Sequence, residues 1–365
     1  MKYLDDIDRS IQDNVINIKS GYQSRTYRYD LLDKDENFKK TLTNISINKN
    51  SISFSGFIDV KRTGTVNLTG LDPDIDFIND RIKIYVTLND GMNNLTYPLG
   101  IYLLSSPVKV LITKDVYNYQ VNIYSKTQIL IEDKVIARFV IKKGKVYTNV
   151  IQELLIGTGI GNIEVTNSGL AANRSFSYDA GSSKLFIINE LLKQINYYPI
   201  YTDNDGSVII KPSVLSQERN ADFYYRINDE SIVQKGLAET LDLFNVPNVT
   251  TRVVTNSENE PLVSTYKNYD PQDPTSIPNR GREIDDYQEI SDIPDQTTLD
   301  EFVLREAEAS KKIFGEVRFS SSLNPMHEQD ECIEVNGEIF IETSWTMQLS
   351  TQGAMNHSAR RVVYV

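Results

Sequence analysis

Disulfide chemistry is closed to this chain, because its 365 residues include a single cysteine, Cys332, and an intrachain bridge needs two. A chain this long can bury enough apolar surface without such a staple. Histidine is nearly as scarce, with only His327 and His357. Two histidines and one thiol fall short of the usual zinc ligand sets, so neither a metal centre nor a cofactor is expected. The G-x-S-x-G elbow of a serine hydrolase is also missing. No run of about 18 apolar residues occurs, so no membrane-spanning helix is expected. The opening MKYLDDID turns acidic where a leader's apolar segment would lie, so no secretory leader is expected. Basic charge is in short supply too: the net charge is -12 and the isoelectric point is near 4.8. A sequence-reading nucleic-acid binder needs a basic face, and this composition argues against one. It leaves room for a protein that DNA passes without sticking.

What the chain does have is alternation. Its length exceeds one ordinary core and predicts two to four domains. Residues 1–24 carry Ile7, Ile11, Val15 and Ile18 at helical spacing, which suggests an N-terminal helix or arm. From Thr26 the period becomes two. RIKIYVTLND places Ile82, Ile84, Val86 and Leu88 on one face. About six short strands over 25–109 read as an antiparallel barrel or sandwich. Over 110–235 helical patterns enter, in SKTQILIED, VYTNVIQELLIG and SKLFIINELLKQIN, with Leu185, Ile188, Leu191, Leu192 and Ile195 inward on the last. Hairpin signals between them predict an α+β middle domain.

The last block, 236–365, returns to β. The proline-rich 270–295 reads as a long loop. A helix is expected over 298–314, with Thr298 as its cap, Leu299, Phe302, Val303, Ala307, Ile313 and Phe314 on its apolar stripe and Gly315 as its stop. Asn336-Gly337, between alternating segments, is a strong hairpin signal. The predicted class is mainly β with an α+β middle.

Several short patterns suggest chemistry and fail on inspection. GTGIG at 157–161 follows a helix and precedes a strand, whereas a dinucleotide fingerprint needs the reverse order. DPDID at 72–76 has calcium-loop acids, but Phe77 and Lys83 stand where glycine and glutamate are needed. His327-Glu328 opens an HExxH-like stretch that ends in Glu331 instead of histidine. Trp345 reads as a core residue, with an interface anchor as the alternative.

Some segments carry a family resemblance. YRYDLLDKDEN, FIDVKRTGTVNLTG, FINDRIKIYVTLNDG and YPLGIYLLSSP resemble the first domain of tail hub proteins from phages and prophages of Gram-positive hosts. DLFNVPNV and NPMHEQDECIEV, with the closing FIETSWTMQLSTQGAMNHSARRVVYV, resemble their last domain. Gln329-Asp330 departs from the pattern, since hub proteins often have glycine there. The resemblance implies two tail-tube-like antiparallel β-barrel domains flanking the α+β domain. It implies a homotrimeric, non-enzymatic symmetry adaptor in the virion tail baseplate, assembled in the host cytoplasm. The partners it implies are the tail tube protein, the central spike or tail-tip protein, other baseplate proteins and the tape measure protein. DNA would pass through the channel without specific binding. The family-motif positions it marks for assembly are Arg62, Pro98, Pro325, Glu328, Gly337 and Trp345. Two alternatives remain open: a tail-borne peptidoglycan or polysaccharide hydrolase using two carboxylates, and a receptor- or carbohydrate-binding module.

Overall fold

A computed structural model describes residues 24–363, apart from 47–48, 90–93, 115, 173, 196, 214–219, 227–232, 234–235, 243, 245, 255–260, 291–295 and 311–312. The expected N-terminal arm lies outside the described residues, save Ser24. In chain order the first block holds β1 (Ser24–Leu32), β2 (Phe38–Thr41), β3 (Ser51–Ser55), β4 (Arg62–Leu68), β5 (Arg81–Asn89), β6 (Asn94–Leu104), β7 (Val108–Thr113) and β8 (Val116–Ser125). The middle holds α1 (Gln128–Glu132), β9 (Phe139–Ile141), α2 (Tyr147–Leu155), β10 (Ile163–Val165), β11 (Phe176–Tyr178), α3 (Lys184–Gln194), β12 (Tyr201–Thr202) and β13 (Val208–Ile210). Then come β14 (Phe223–Tyr225), β15 (Ala238–Asp242), β16 (Val249–Val254), β17 (Leu262–Lys267), α4 (Ile277–Arg280), β18 (Asp285–Ile290), α5 (Gln296–Ser310), β19 (Ile313–Ser322), β20 (Cys332–Val335), β21 (Glu338–Gln348) and β22 (Ala354–Val363). The chain is mainly β with large antiparallel sheets.

Two compact units emerge. The first is 1–236 with 319–358, and the second is 237–318 with 359–365, so the division falls inside β19 and β22. In the first unit the strand order is β2-β1-β5-β6-β8-β4-β3-β21, continued by β22 and the end of β19. Strand β5 is the central element. It pairs antiparallel with β1 along its whole length and with β6 on the other edge, and Ile82, Ile84, Val86 and Leu88 are sealed inside. Alternation gives it a buried face, and pairing on both edges satisfies its backbone.

The two expected barrels do not take that form: no closed barrel occurs among the described residues. The C-terminal hairpin extends the first sheet instead. β21 pairs with β3, setting Trp345 opposite Phe54 and Met347 opposite Ile52. Trp345, Met347, Leu349 and Met355 therefore share a core with Ile84, Val86 and Leu99. The turn between β20 and β21 is as expected from Asn-Gly, with φ of 51° at Asn336 and 91° at Gly337. Both central residues must be left-handed for a turn whose twist matches the strands.

The middle has its own apolar core. Leu185, Ile188, Leu191, Leu192 and Ile195 are all buried there against Val150, Ile151 and Leu154 of α2. Ser183 caps α3 by accepting a hydrogen bond from the Phe186 amide at 3.2 Å. Gly157, at φ 77°, ends α2 in the left-handed conformation a stop requires.

In the second unit α5 lies on the β17-β16-β18 sheet, with Leu299 and Val303 buried beside Val254. Two expectations shift here. The helix covers Gln296–Ser310 rather than 298–314, so Thr298 lies inside it and Ile313 and Phe314 open β19. The 270–295 stretch is no uninterrupted loop: it carries α4 and β18. Proline in the first turn of α4 gives up no intrahelical bond, and Gly281 closes it at φ 66°. β18 then pairs in parallel with β16, a contact that no local pattern encodes.

Candidate functional site

Most of the marked residues meet where the first sheet, the middle domain and the 325–328 segment converge, all within the first unit. Arg62, at the head of β4, is fully buried. Its guanidinium donates to the Asp203 carbonyl at 3.2 Å, to Asn204 Oδ1 at 2.5 Å and to the His327 carbonyl at 3.2 Å. It also lies 5.2 Å over the Trp345 ring. Trp345 Nε1 donates to the Glu328 carbonyl at 2.9 Å. Asn204, in the β12–β13 turn, donates its amide to Glu328 Oε1 and its side chain to the carbonyls of Pro325 and His327. Five of the six marked positions share this region. Arg62, Pro325, Glu328 and Trp345 form the knot, and Pro98 lines the adjoining cavity. Gly337 stands apart, in the β20–β21 turn.

The cavity holds about 640 Å³. Its walls carry Asp203, Asp205, Glu328 and Glu331 against one lysine, Lys211. Burial raises the Asp203 carboxyl above the usual carboxylate range, despite the hydrogen bond it accepts from the Ser207 amide. Such a surface suits a cationic group. The GTGIG loop offers no opposite site: its Gly159 and Gly161 carbonyls accept from Arg81 and Lys126. A phosphate-binding loop would present amide hydrogens instead.

Behind the cavity wall sits a buried polar network that the spacing of the two histidines did not reveal. His327 Nδ1 lies 2.7 Å from Glu342 Oε2, and His357 Nδ1 lies 2.5 Å from Glu342 Oε1. The outer ring nitrogens are also engaged, His327 Nε2 with the Tyr225 hydroxyl at 2.6 Å and His357 Nε2 with Ser321 Oγ at 2.8 Å. Phe223 stacks on His327 and Phe319 on His357. Burial pushes the Glu342 carboxyl up, but the two imidazoles override it and hold it near about 2. Burial raises Glu331 to about 7. Burial lowers His357. Burial opposes charge on His327 as well, but the facing Glu342, Tyr225 and Glu331 carry it well above the usual imidazole value.

A signal for this network was present in the strands. Glu342 follows Phe340 at an inward position of β21, and His357 sits between the inward Met355 and Ala359 of β22. A titratable residue in the inward phase of an alternating strand needs buried partners. The departure at Gln329-Asp330 is also visible here. Asp330 takes φ 60°, keeping the left-handed backbone that glycine adopts freely.

No protein-family profile matches the sequence, and no curated protein matches it significantly. Solved structures do. The tail protein from Neisseria meningitidis MC58 superposes with a TM-score of 0.63 at 9% identity, over 92% of this chain and 96% of that one. The 43 kDa tail protein of prophage MuSo2 from Shewanella oneidensis gives 0.60 at 11% identity, over 92% and 98%. Prophage tail protein gp18 from Listeria monocytogenes EGD-e gives 0.54 at 10%, over 92% and 94%. The fold is thus that of phage and prophage tail proteins, matched over nearly the full length of each. A chain of the Francisella PdpA-VgrG complex is similar as well, with a TM-score of 0.57 at 11% identity, covering 97% of this chain and 62% of that one.

Proposed function

We propose that this chain is the structural hub of a phage or phage-derived tail baseplate. Three copies form a symmetry adaptor between the tail tube and the central spike or tail tip. The observation that carries this reading is the β7–β8 hairpin. β4 pairs with β8 only as far as Tyr119, while β7 follows β8 out to Val116. Every residue of β7 is exposed, including Val108, Leu111 and Ile112 at 59%, 61% and 50%. Among the described residues β7 pairs with β8 alone, so its outer edge is unmet. An apolar, exposed strand edge is a template for another strand and a hazard if left bare. A neighbouring copy of this chain covers it, by the edge-to-edge addition of strands. The tail-protein fold supports the same setting.

The role is non-enzymatic, and the partners are tube, spike, tape measure and other baseplate proteins. Duplex DNA carries one charge per about 1.7 Å of axis. With a net charge of -12, part of the acid excess faces the bore and keeps DNA from sticking. Light scattering tests the oligomer. A mass three times the 41.6 kDa chain supports the hub. A monomer at every concentration, with cell-wall cleavage that Glu328→Gln abolishes, would favour the second reading. That reading is a hydrolase using the cavity's carboxylates.

A further inference from the structure

We propose that His327, His357, Glu342 and Glu331 form a structural binding site for a divalent transition metal such as zinc. The site depends on none of the assembly reading above. Donor atoms of His327, Glu342 and His357 lie within 4.8 Å of one another, and all three residues are buried. Both histidines turn the same nitrogen, Nδ1, toward one carboxylate.

Glu331, outside that group of three, offers a fourth donor beside His327. Glu331 Oε2 lies 3.0 Å from His327 Nδ1. That nitrogen already faces Glu342 Oε2 at 2.7 Å, so the two carboxylates compete for one N–H. Glu331 Oε2 accordingly makes no hydrogen bond of good geometry, although Glu331 is only 8% exposed. A buried carboxylate whose oxygen meets only an imidazole nitrogen already shared with Glu342 is costly to hold without further positive charge. A dication displaces the proton that His327 holds, and two neutral imidazoles and two carboxylates then balance it in charge.

The surroundings fit the same role. A histidine ligand usually donates its other N–H to a fixed acceptor, which sets the tautomer and the ring orientation. The Tyr225 and Ser321 hydroxyls sit at the two outer nitrogens and can accept such a bond once Nδ1 takes a metal. Phe223 and Phe319 cover the rings and give the site a dry wall. The mixed nitrogen and oxygen set suits zinc, whose bonds of about 2.0–2.2 Å put neighbouring donors roughly 3.3 Å apart. Metal entry therefore parts the present 2.5–3.0 Å contacts by about half an ångström and draws together donors that now lie up to 4.8 Å apart. The ligands come from β21, β22 and the 327–331 segment, so the metal fastens the C-terminal hairpin to the loop that closes the cavity.

The test uses the untagged full chain. Metal analysis of protein purified without chelator should find about one zinc per chain. After chelator dialysis, Co²⁺ titration should give the intense visible bands of a four-coordinate site, and Zn²⁺ should quench them stoichiometrically. The melting midpoint should fall with chelator and recover with Zn²⁺. Glu331→Gln and His357→Gln should each weaken Co²⁺ binding by at least about tenfold. No zinc, no cobalt bands and one midpoint with or without Zn²⁺ would overturn the proposal, as would unchanged affinity in both variants. Should a variant fail to fold, the wild-type titration alone decides.

Discussion

Strands β5 and β7 lie in one sheet and draw on the same residue types, yet they meet opposite environments. On β5, Ile82, Ile84, Val86 and Leu88 are 0–1% exposed. On β7, Val108, Leu111 and Ile112 are half or more exposed. The residues do not explain the difference; the edges do. β5 has β1 on one side and β6 on the other, and its apolar face meets the core. Among the described residues β7 has only β8, and that pairing runs on past the end of β4. An apolar strand paired on both edges belongs to a fold, and one paired on a single edge points to an assembly.

The contrast is breakable at graded cost. Ile84→Ala removes a fully buried side chain from β5 and should destabilise the first unit by about 2–5 kcal/mol, read from urea unfolding. Gly337→Ala tests a pairing fixed by its turn rather than by burial. No atom beyond the adjoining residues lies within 4 Å of the added Cβ, so the cost comes from φ 91°, about 1 kcal/mol or somewhat more in the same assay. Val108→Lys with Leu111→Lys should change the stability of the single chain by no more than about 0.5 kcal/mol. The same pair should abolish the larger species in light scattering, an outcome no β5 substitution reproduces without unfolding. The smallest effect concerns charge. Burial raises the folded-state pKa of Asp203 above 3.8, so the folded chain gains from protonation. That gain is complete below the ordinary value and is lost as pH rises through the folded value. Above that value the ionised carboxylate is a burden. Asp203→Asn should raise the melting midpoint at pH 7 by a few degrees at most, and the gain should vanish in acid.

Much of this architecture is legible in local pattern. The alternation of β5, the spacing of α3 and the left-handed pair Asn336-Gly337 each depend on neighbours within a few residues. What stayed hidden depends on distant partners. Ser53 and Thr346 share a hydrogen bond across 293 positions, and no periodicity in β3 or β21 announces that register. The last strands therefore read as a second barrel when they complete the first sheet. His327 read as a failed HExxH because its true partners, Glu342 and His357, arrive 15 and 30 residues later on separate strands. Arg62 and Pro325 are marked by resemblance alone, whereas Glu328 and Trp345 also stand out by residue type. Asn204, which ties three of the four together, lay unmarked in a turn that read only as a hairpin.

Amide exchange at Val108–Thr113, followed across protein concentration with β5 as the internal reference, asks directly whether another copy covers β7. β5 should exchange slowly at every concentration. The β7 amides that do not bond to β8 should exchange fast when dilute, then become protected as the mass rises to three chains. Fast β7 exchange that ignores concentration, in a chain that stays at 41.6 kDa, would contradict an assembly edge there.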